Sequence, residues 1–111
     1  MPFEFGDVVL VPFPFASQTA SKKRPAVVVS SRLYNSAKPD VMLMAITSQL
    51  RASPEVGEVF LSGWQEAGLL KSSSVKPVIA TLEQALVIRR LGALGSHDQN
   101  AVRRMITQIL G

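Results

Sequence analysis

The sequence predicts a mainly β chain, a small and partly open barrel with a C-terminal helix packed on it. Three observations carry that expectation. Short apolar runs rich in β-branched side chains recur at 8–11, 26–30, 41–46 and 78–82, the length and composition of buried strands. Glycines, prolines and small polar residues separate them. At the C-terminus the period changes, and Val102, Met105, Ile106, Ile109 and Leu110 fall on one helical face with Arg103, Arg104 and Gln108 on the other. With 111 residues and 47% apolar content, one domain spanning 1–111 is expected, the barrel over about 5–94 and the helix over about 96–110.

Taken in order, Gly6-Asp7 reads as a turn into the first strand at 8–11. Pro12 and Pro14 are expected to end it, since a proline cannot donate to a central ladder. Residues 16–24 start with small polar side chains and finish in Lys22-Lys23-Arg24, which predicts a loop long enough to act as a flap. Pro25 fixes its own φ and pushes Arg24 into the extended region, at the mouth of the second strand, 26–30. Residues 31–35 predict a short helical turn, and 41–46 a strand buried on both faces. An edge strand of mixed polarity is expected at 57–61, then one helical turn at 64–68 closed by Gly68. Ser72-Ser73-Ser74 and Lys76 read as a solvated connection before Pro77 and the strand at 78–82. A turn after Leu86 leads to a last short strand ending near 94. Ser96 with Gln99 fits a capping box, and Asp98 suits the positive end of the helix dipole.

Composition removes several function classes. Twelve Lys and Arg against eight Asp and Glu leave a net charge of +4, which permits a polyanionic partner without requiring one. The chain has no cysteine, so disulfides, thiolate chemistry and cysteine-based metal centres are excluded. A single histidine, His97, speaks against a histidine-rich metal site and against a two-histidine acid–base pair. The N-terminal stretch carries Glu4 and Asp7 without a basic region, so it does not read as a secretory signal. The longest apolar run, 8–16, contains two prolines and is too short to cross a bilayer. A cytoplasmic protein with no membrane partner is expected.

The chemistry-bearing residues stand at strand ends. Arg24 precedes the second strand, and Thr47-Ser48-Gln49 follow the third. If those strands pair antiparallel, Arg24 and Thr47 become neighbours at one rim of the barrel. A cation beside a hydroxyl suits neither a metal site nor acyl transfer. It does suit phosphoryl chemistry on a substrate that brings its own nucleophile, and RNA brings its 2′-hydroxyl. A guanidinium keeps its charge at ordinary pH and offers bidentate donors to phosphorane oxygens. Arg24 is therefore assigned charge stabilisation, with proton donation to the leaving 5′-oxygen as a second role. Thr47 is assigned the orientation of the phosphate or the 2′-hydroxyl. Spacing alone favours plainer readings: a solvated loop for the basic triplet, and a strand-end hydroxyl bonded to backbone for Thr47. Trp64 and Tyr34 could stack on bases, although half-buried structural aromatics fit both positions better.

The segments Gly6-Asp7-Val8-Val9-Leu10-Val11-Pro12-Phe13, Lys23-Arg24-Pro25-Ala26-Val27-Val28-Val29-Ser30, Tyr34-Asn35, Ile46-Thr47-Ser48-Gln49 and Val75-Lys76-Pro77 resemble the MazF/PemK toxins of bacterial type II toxin–antitoxin pairs. The resemblance runs from about residue 5 to residue 94. It implies an SH3-like barrel, a homodimer, and a metal-independent endoribonuclease acting on single-stranded mRNA at short sequence motifs, with no cofactor. It also implies inhibition by a cognate antitoxin whose disordered acidic C-terminal segment occupies the RNA groove. The family's catalytic arginine and threonine map onto Arg24 and Thr47, and its flexible loop onto 14–23. Its RNA-binding serine maps to Ser73, with Ser72 and Ser74 one residue to either side leaving the register open. Lys22, Lys23, Ser48, Gln49 and Lys76 complete the expected RNA contacts. Ala16-Ser17 stand where the family often carries an acid after the Phe-Pro-Phe segment. Two other readings fit the same barrel: a non-enzymatic toxin that poisons DNA gyrase as the related CcdB proteins do, and a plain SH3-like module that binds nucleic acid or peptide.

Overall fold

A computed structural model describes residues 3–13, 22–51, 53 and 55–111. The elements in chain order are β1 (Asp7–Phe13), β2 (Lys22–Val28), α1 (Arg32–Ala37), β3 (Asp40–Thr47), β4 (Val59–Phe60), β5 (Ser74–Glu83), a 3₁₀ turn (Gln84–Leu86), β6 (Arg89–Ala93) and α2 (Ser96–Leu110). The six strands form one antiparallel sheet in the order β4-β5-β3-β2-β1-β6. It curls into a half-barrel with α2 against it, the mainly β architecture expected from the strand pattern. Among the described residues no helix is long and apolar enough to cross a membrane.

Strand alternation divides the core in two. Val8, Val27, Met44, Ile46 and Val75 join Val102 and Met105 of α2 in one cluster. Val9, Val11, Ala26, Val28, Val41 and Leu43 form the other, with Leu82 and Val87 packed against it. Successive residues of β2 and β3 thus bury on opposite faces, which is why both strands read as continuous apolar runs. Buried Asn35 ties the N-terminal segment to the chain just after β2 by donating from Nδ2 to the carbonyls of Phe3 and Ser30.

Several boundaries differ from the expectation. β1 continues through Pro12 to Phe13, because its second neighbour, β6, pairs only with Asp7 to Leu10 and leaves that edge open. β2 starts at Lys22 rather than 26, so Lys22, Lys23 and Arg24 lie in a strand and not in a loop. Of the predicted flap, 14–21 lie outside the described residues. β3 pairs with β2 only from Ala26 onward, the residue after the proline. β5 begins at Ser74 and carries Pro77 inside it, where a register shift opposite Ala45 spares the missing donor. Ser73 and Ser74 are buried instead of solvated. The capping box does not form: Gly95 is the N-cap, Gln99 donates back to the Leu94 carbonyl, and Ser96 makes no cap bond.

Close backbone contacts and one buried carboxylate fasten the segment between β4 and β5. Gly68 N–H donates to Gln65 O and Leu69 N–H to Trp64 O, a Schellman-type closure with Gly68 at φ +87°. A Cβ on Gly68 would sit 2.1 Å from the Leu91 carbonyl oxygen, and one on Gly92 would sit 2.4 Å from Ala67 O. Both glycines are there because two backbones touch. At the other end, buried Asp98 accepts from Ser62 N–H, Ser62 Oγ and Gly63 N–H at 3.1, 3.0 and 2.8 Å.

Gly68→Ala therefore combines a strained φ with a backbone clash and should destabilise the fold by roughly 2–5 kcal/mol. Asp98→Ala strands two amides and a hydroxyl and should cost about 3 kcal/mol. Urea titrations read both, as lower midpoints with unchanged slope.

Candidate functional site

The β2–β3 register sets Ala26 opposite Ala45 and Val27 opposite Met44. The pairing ends at Ala26 and Ala45, two residues short of Arg24 and Thr47. Both side chains line one open cleft of about 560 Å³. Its floor is aliphatic: Leu10 of β1, Pro25 of β2, Ile46 of β3, Leu69, and Leu91 of β6. Ile46 and Leu69 belong to the core beneath α2, and Leu91 packs on it, so the floor is the outer margin of that core. Leu70, 94% exposed, stands at the mouth.

Polar groups ring this floor. Thr47, Ser48 and Gln49 leave β3 along one side. Thr47 Oγ1 accepts the Gln49 N–H at 3.0 Å, the backbone bond that spacing favours. The hydroxyl proton has no acceptor among the described residues and can be given to a ligand. Ser73 alone of the three serines lines the cleft, and its Oγ donates to Lys71 O at 2.8 Å, which tightens the turn before β5.

The electrostatics are one-signed. Arg24, Lys71 and Arg89 reach the cleft from β2, the 68–71 turn and β6, and among the described residues no carboxylate or imidazole lines it. Among the described residues none of the three cations has an ion-pair partner. Arg90, the next residue, pairs with Asp7 at 3.2 Å, so strand alternation sends one arginine of the doublet to the cleft and the other to a structural bridge. Composition and spacing pointed to neither Arg89 nor Lys71. The Arg89-Arg90 doublet was the available signal, but nothing local says which member faces in.

Lys22, Lys23 and Lys76 do not line the cleft. The first two are exposed on β2, and Lys76 lies close enough to Glu58 to favour its charged form. The Glu55 N–H bond holds the Glu58 carboxyl below the ordinary carboxylate range, and Arg51 and Lys76 act in the same direction against partial desolvation. Trp64 is half-buried against the core, and His97 is exposed on the first turn of α2. Among the described residues no three His, Cys, Asp or Glu side chains are grouped to hold a metal ion. The cleft can take a chain that is anionic along its backbone and flat and apolar in its side groups. Guanidinium and ammonium groups would grip the charges, and the aliphatic floor would accept the rest.

Solved structures share this architecture. A mycobacterial endoribonuclease in complex with its cognate antitoxin superposes with a TM-score of 0.80 at 18% identity, covering 98% of this chain and 95% of that one. MazF from a Deinococcus radiodurans MazE–MazF structure gives 0.79 at 20% identity, over 100% and 98% of the two chains. A Mycobacterium tuberculosis MazF toxin gives 0.72 at 19% identity, over 92% and 93%. At these identities the likeness shows the fold. No curated protein sequence matches significantly. The family model described as the PemK-like, MazF-like toxin of type II toxin–antitoxin systems matches residues 4–110. With nearly the whole length matched, and with Arg24 and Thr47 brought to one cleft of a MazF-type half-barrel, the chain belongs to the PemK/MazF toxin family.

Proposed function

We propose that this toxin is a metal-independent endoribonuclease that cuts single-stranded mRNA at a short motif, with Arg24 and Thr47 at the reacting phosphate. The observation that carries the reading is the shared cleft: a guanidinium and a hydroxyl at its rim, cations on three sides, and no carboxylate among its lining residues. Such a site lacks a strong base, so its substrate must supply the nucleophile. The 2′-oxygen bonds to phosphorus as the P–O5′ bond breaks, leaving a 2′,3′-cyclic phosphate and a 5′-hydroxyl. The 2′-proton passes to solvent and O5′ takes one up. Arg24 stabilises the charge on the phosphorane oxygens, and Thr47 donates its free hydroxyl proton to the phosphate. Ser48, Gln49 and Ser73 border the strand's path, and Lys71 and Arg89 hold flanking phosphates. Lys22, Lys23 and Lys76 act at most as distant positive charge.

The same charge pattern suits a cognate antitoxin. An acidic, disordered segment can replace RNA in the cleft and fold on binding. The toxin itself works as a homodimer in this reading, in the cytoplasm where mRNA is found.

Incubated with a long single-stranded RNA in EDTA, the purified protein should generate fragments with cyclic phosphate ends. Arg24→Ala should lower kcat about a hundredfold or more while the fold is kept. No cleavage, or equal cleavage by the variant, removes the assignment. Salt-sensitive RNA binding without turnover would instead mark a binding module. An acidic antitoxin-derived peptide should displace RNA competitively, more weakly as salt rises. Independent, additive binding of peptide and RNA would refute a shared groove.

A further inference from the structure

Glu58 stands outside the cleft, just ahead of β4, at the centre of a cluster that the proposed chemistry leaves unused. Its Oε1 accepts the Glu55 N–H at 2.9 Å and its Oε2 accepts from Arg51 Nε at 3.1 Å. Its own N–H donates to Glu55 O at 2.9 Å. Arg51 Nη1 also lies 3.6 Å from Glu55. The Glu58 side chain is only 9% exposed, although Arg51 is 56% exposed. A solvent-facing ion pair adds little stability by itself, so the consequence of this cluster is geometric.

Arg51 follows Gln49 by two residues. The segment from Thr47 to Arg51 is therefore held at both ends: at its start by Thr47 paired with Ser74, at its finish by Arg51 on Glu58. Glu58 has firm support of its own. Val59 pairs with Val75, and Gly57, at φ +93°, leaves so little room that a Cβ there would lie 3.0 Å from Pro77. Between the two anchors lie Ser48 and Gln49, exposed side chains on the cleft wall.

We propose that Glu58 is a positioning residue for this wall: through Arg51 it holds Ser48 and Gln49 in place and thereby sets which bases the cleft accepts. The proposal rests on the reading of the cleft as an RNA site. Unpaired bases are recognised by hydrogen bonds to their edges. A fixed donor–acceptor set rejects a wrong base because a buried partner is left unmade, whereas a loose one adapts to several. Arg24 stands on β2 and, among the described residues, shares no hydrogen bond or ion pair with this clasp, so base selection and phosphate chemistry are held by separate parts of the fold.

Glu58→Gln keeps an oxygen for the Glu55 amide but removes the charge that holds Arg51. Arg51→Ala removes the other half. In each variant, hydrogen exchange at the Gln49 amide should rise roughly tenfold while the strand amides keep their protection. With RNA, KM should rise several-fold with kcat little changed, and sequenced 5′-ends should fall at a wider set of motifs. The double variant should be no worse than either single one, because both break one link. Wild-type KM, motif and exchange in the singles, or additive losses in the double, overturn the proposal. If the unaltered protein cuts no RNA, the substrate reading fails instead. Exchange then decides the clasp alone: faster exchange at Gln49 upholds it and unchanged exchange refutes it.

Discussion

β2 and β3 pair antiparallel with Ala26 opposite Ala45, and that register brings the cation before the proline and the hydroxyl at the end of β3 to one cleft. A slip by one residue would exchange the two faces of the strand. Here that would drive Val27 and Met44 out of the layer beneath α2 and into the one that Val28 and Leu43 already fill. Interiors packed at crystal-like density do not absorb such exchanges without voids or overlap. The site therefore takes its precision from apolar packing on both sides of a strand pair, not from any bond between the polar groups themselves.

The opposite side of the cleft depends on a different kind of contact. Between β4 and β5 the chain runs without a strand and is held at three places: Asp98 on the 62–63 backbone, Gly68 against Leu91, and Ser73 Oγ on Lys71 O. These bring Leu69 to the floor and Lys71 to the rim. Asp98 has a double role that its position near the start of α2 explains: a carboxylate there is favoured by the helix dipole and also satisfies amides of a neighbouring turn. The helix thus does more than cover the sheet, since its first turn places one wall of the cleft.

Electrostatic economy follows from the same placement. Asp7 of β1, which borders the cleft, and Glu58, which lies outside it just ahead of β4, are each occupied by an arginine that does not line it. Arg24, Lys71 and Arg89 are left to act together on whatever enters. Charges of one sign over a low-dielectric floor reinforce each other's field, so a modest net charge of +4 can still present a strongly positive groove.

The residues themselves carried the β class and the C-terminal helix, because strand-length apolar runs and a 3.6-residue period are local signals, and two of the residues they singled out, Arg24 and Thr47, line one cleft. Strand ends were less legible. A proline ends a strand only where its missing donor would face a partner, and which edge is open depends on distant strands, as Pro12, Pro25 and Pro77 show. The capping box at Ser96 failed for a similar reason, since Gly95 takes the N-cap position and Gln99 turns to Leu94. Tertiary structure alone decided that Arg89 rather than Arg90 faces the cleft, that Ser73 is the serine lining it, and that Lys76 lies outside it. Each of those outcomes depends on curvature and register accumulated across several strands, and no short window of sequence contains that information.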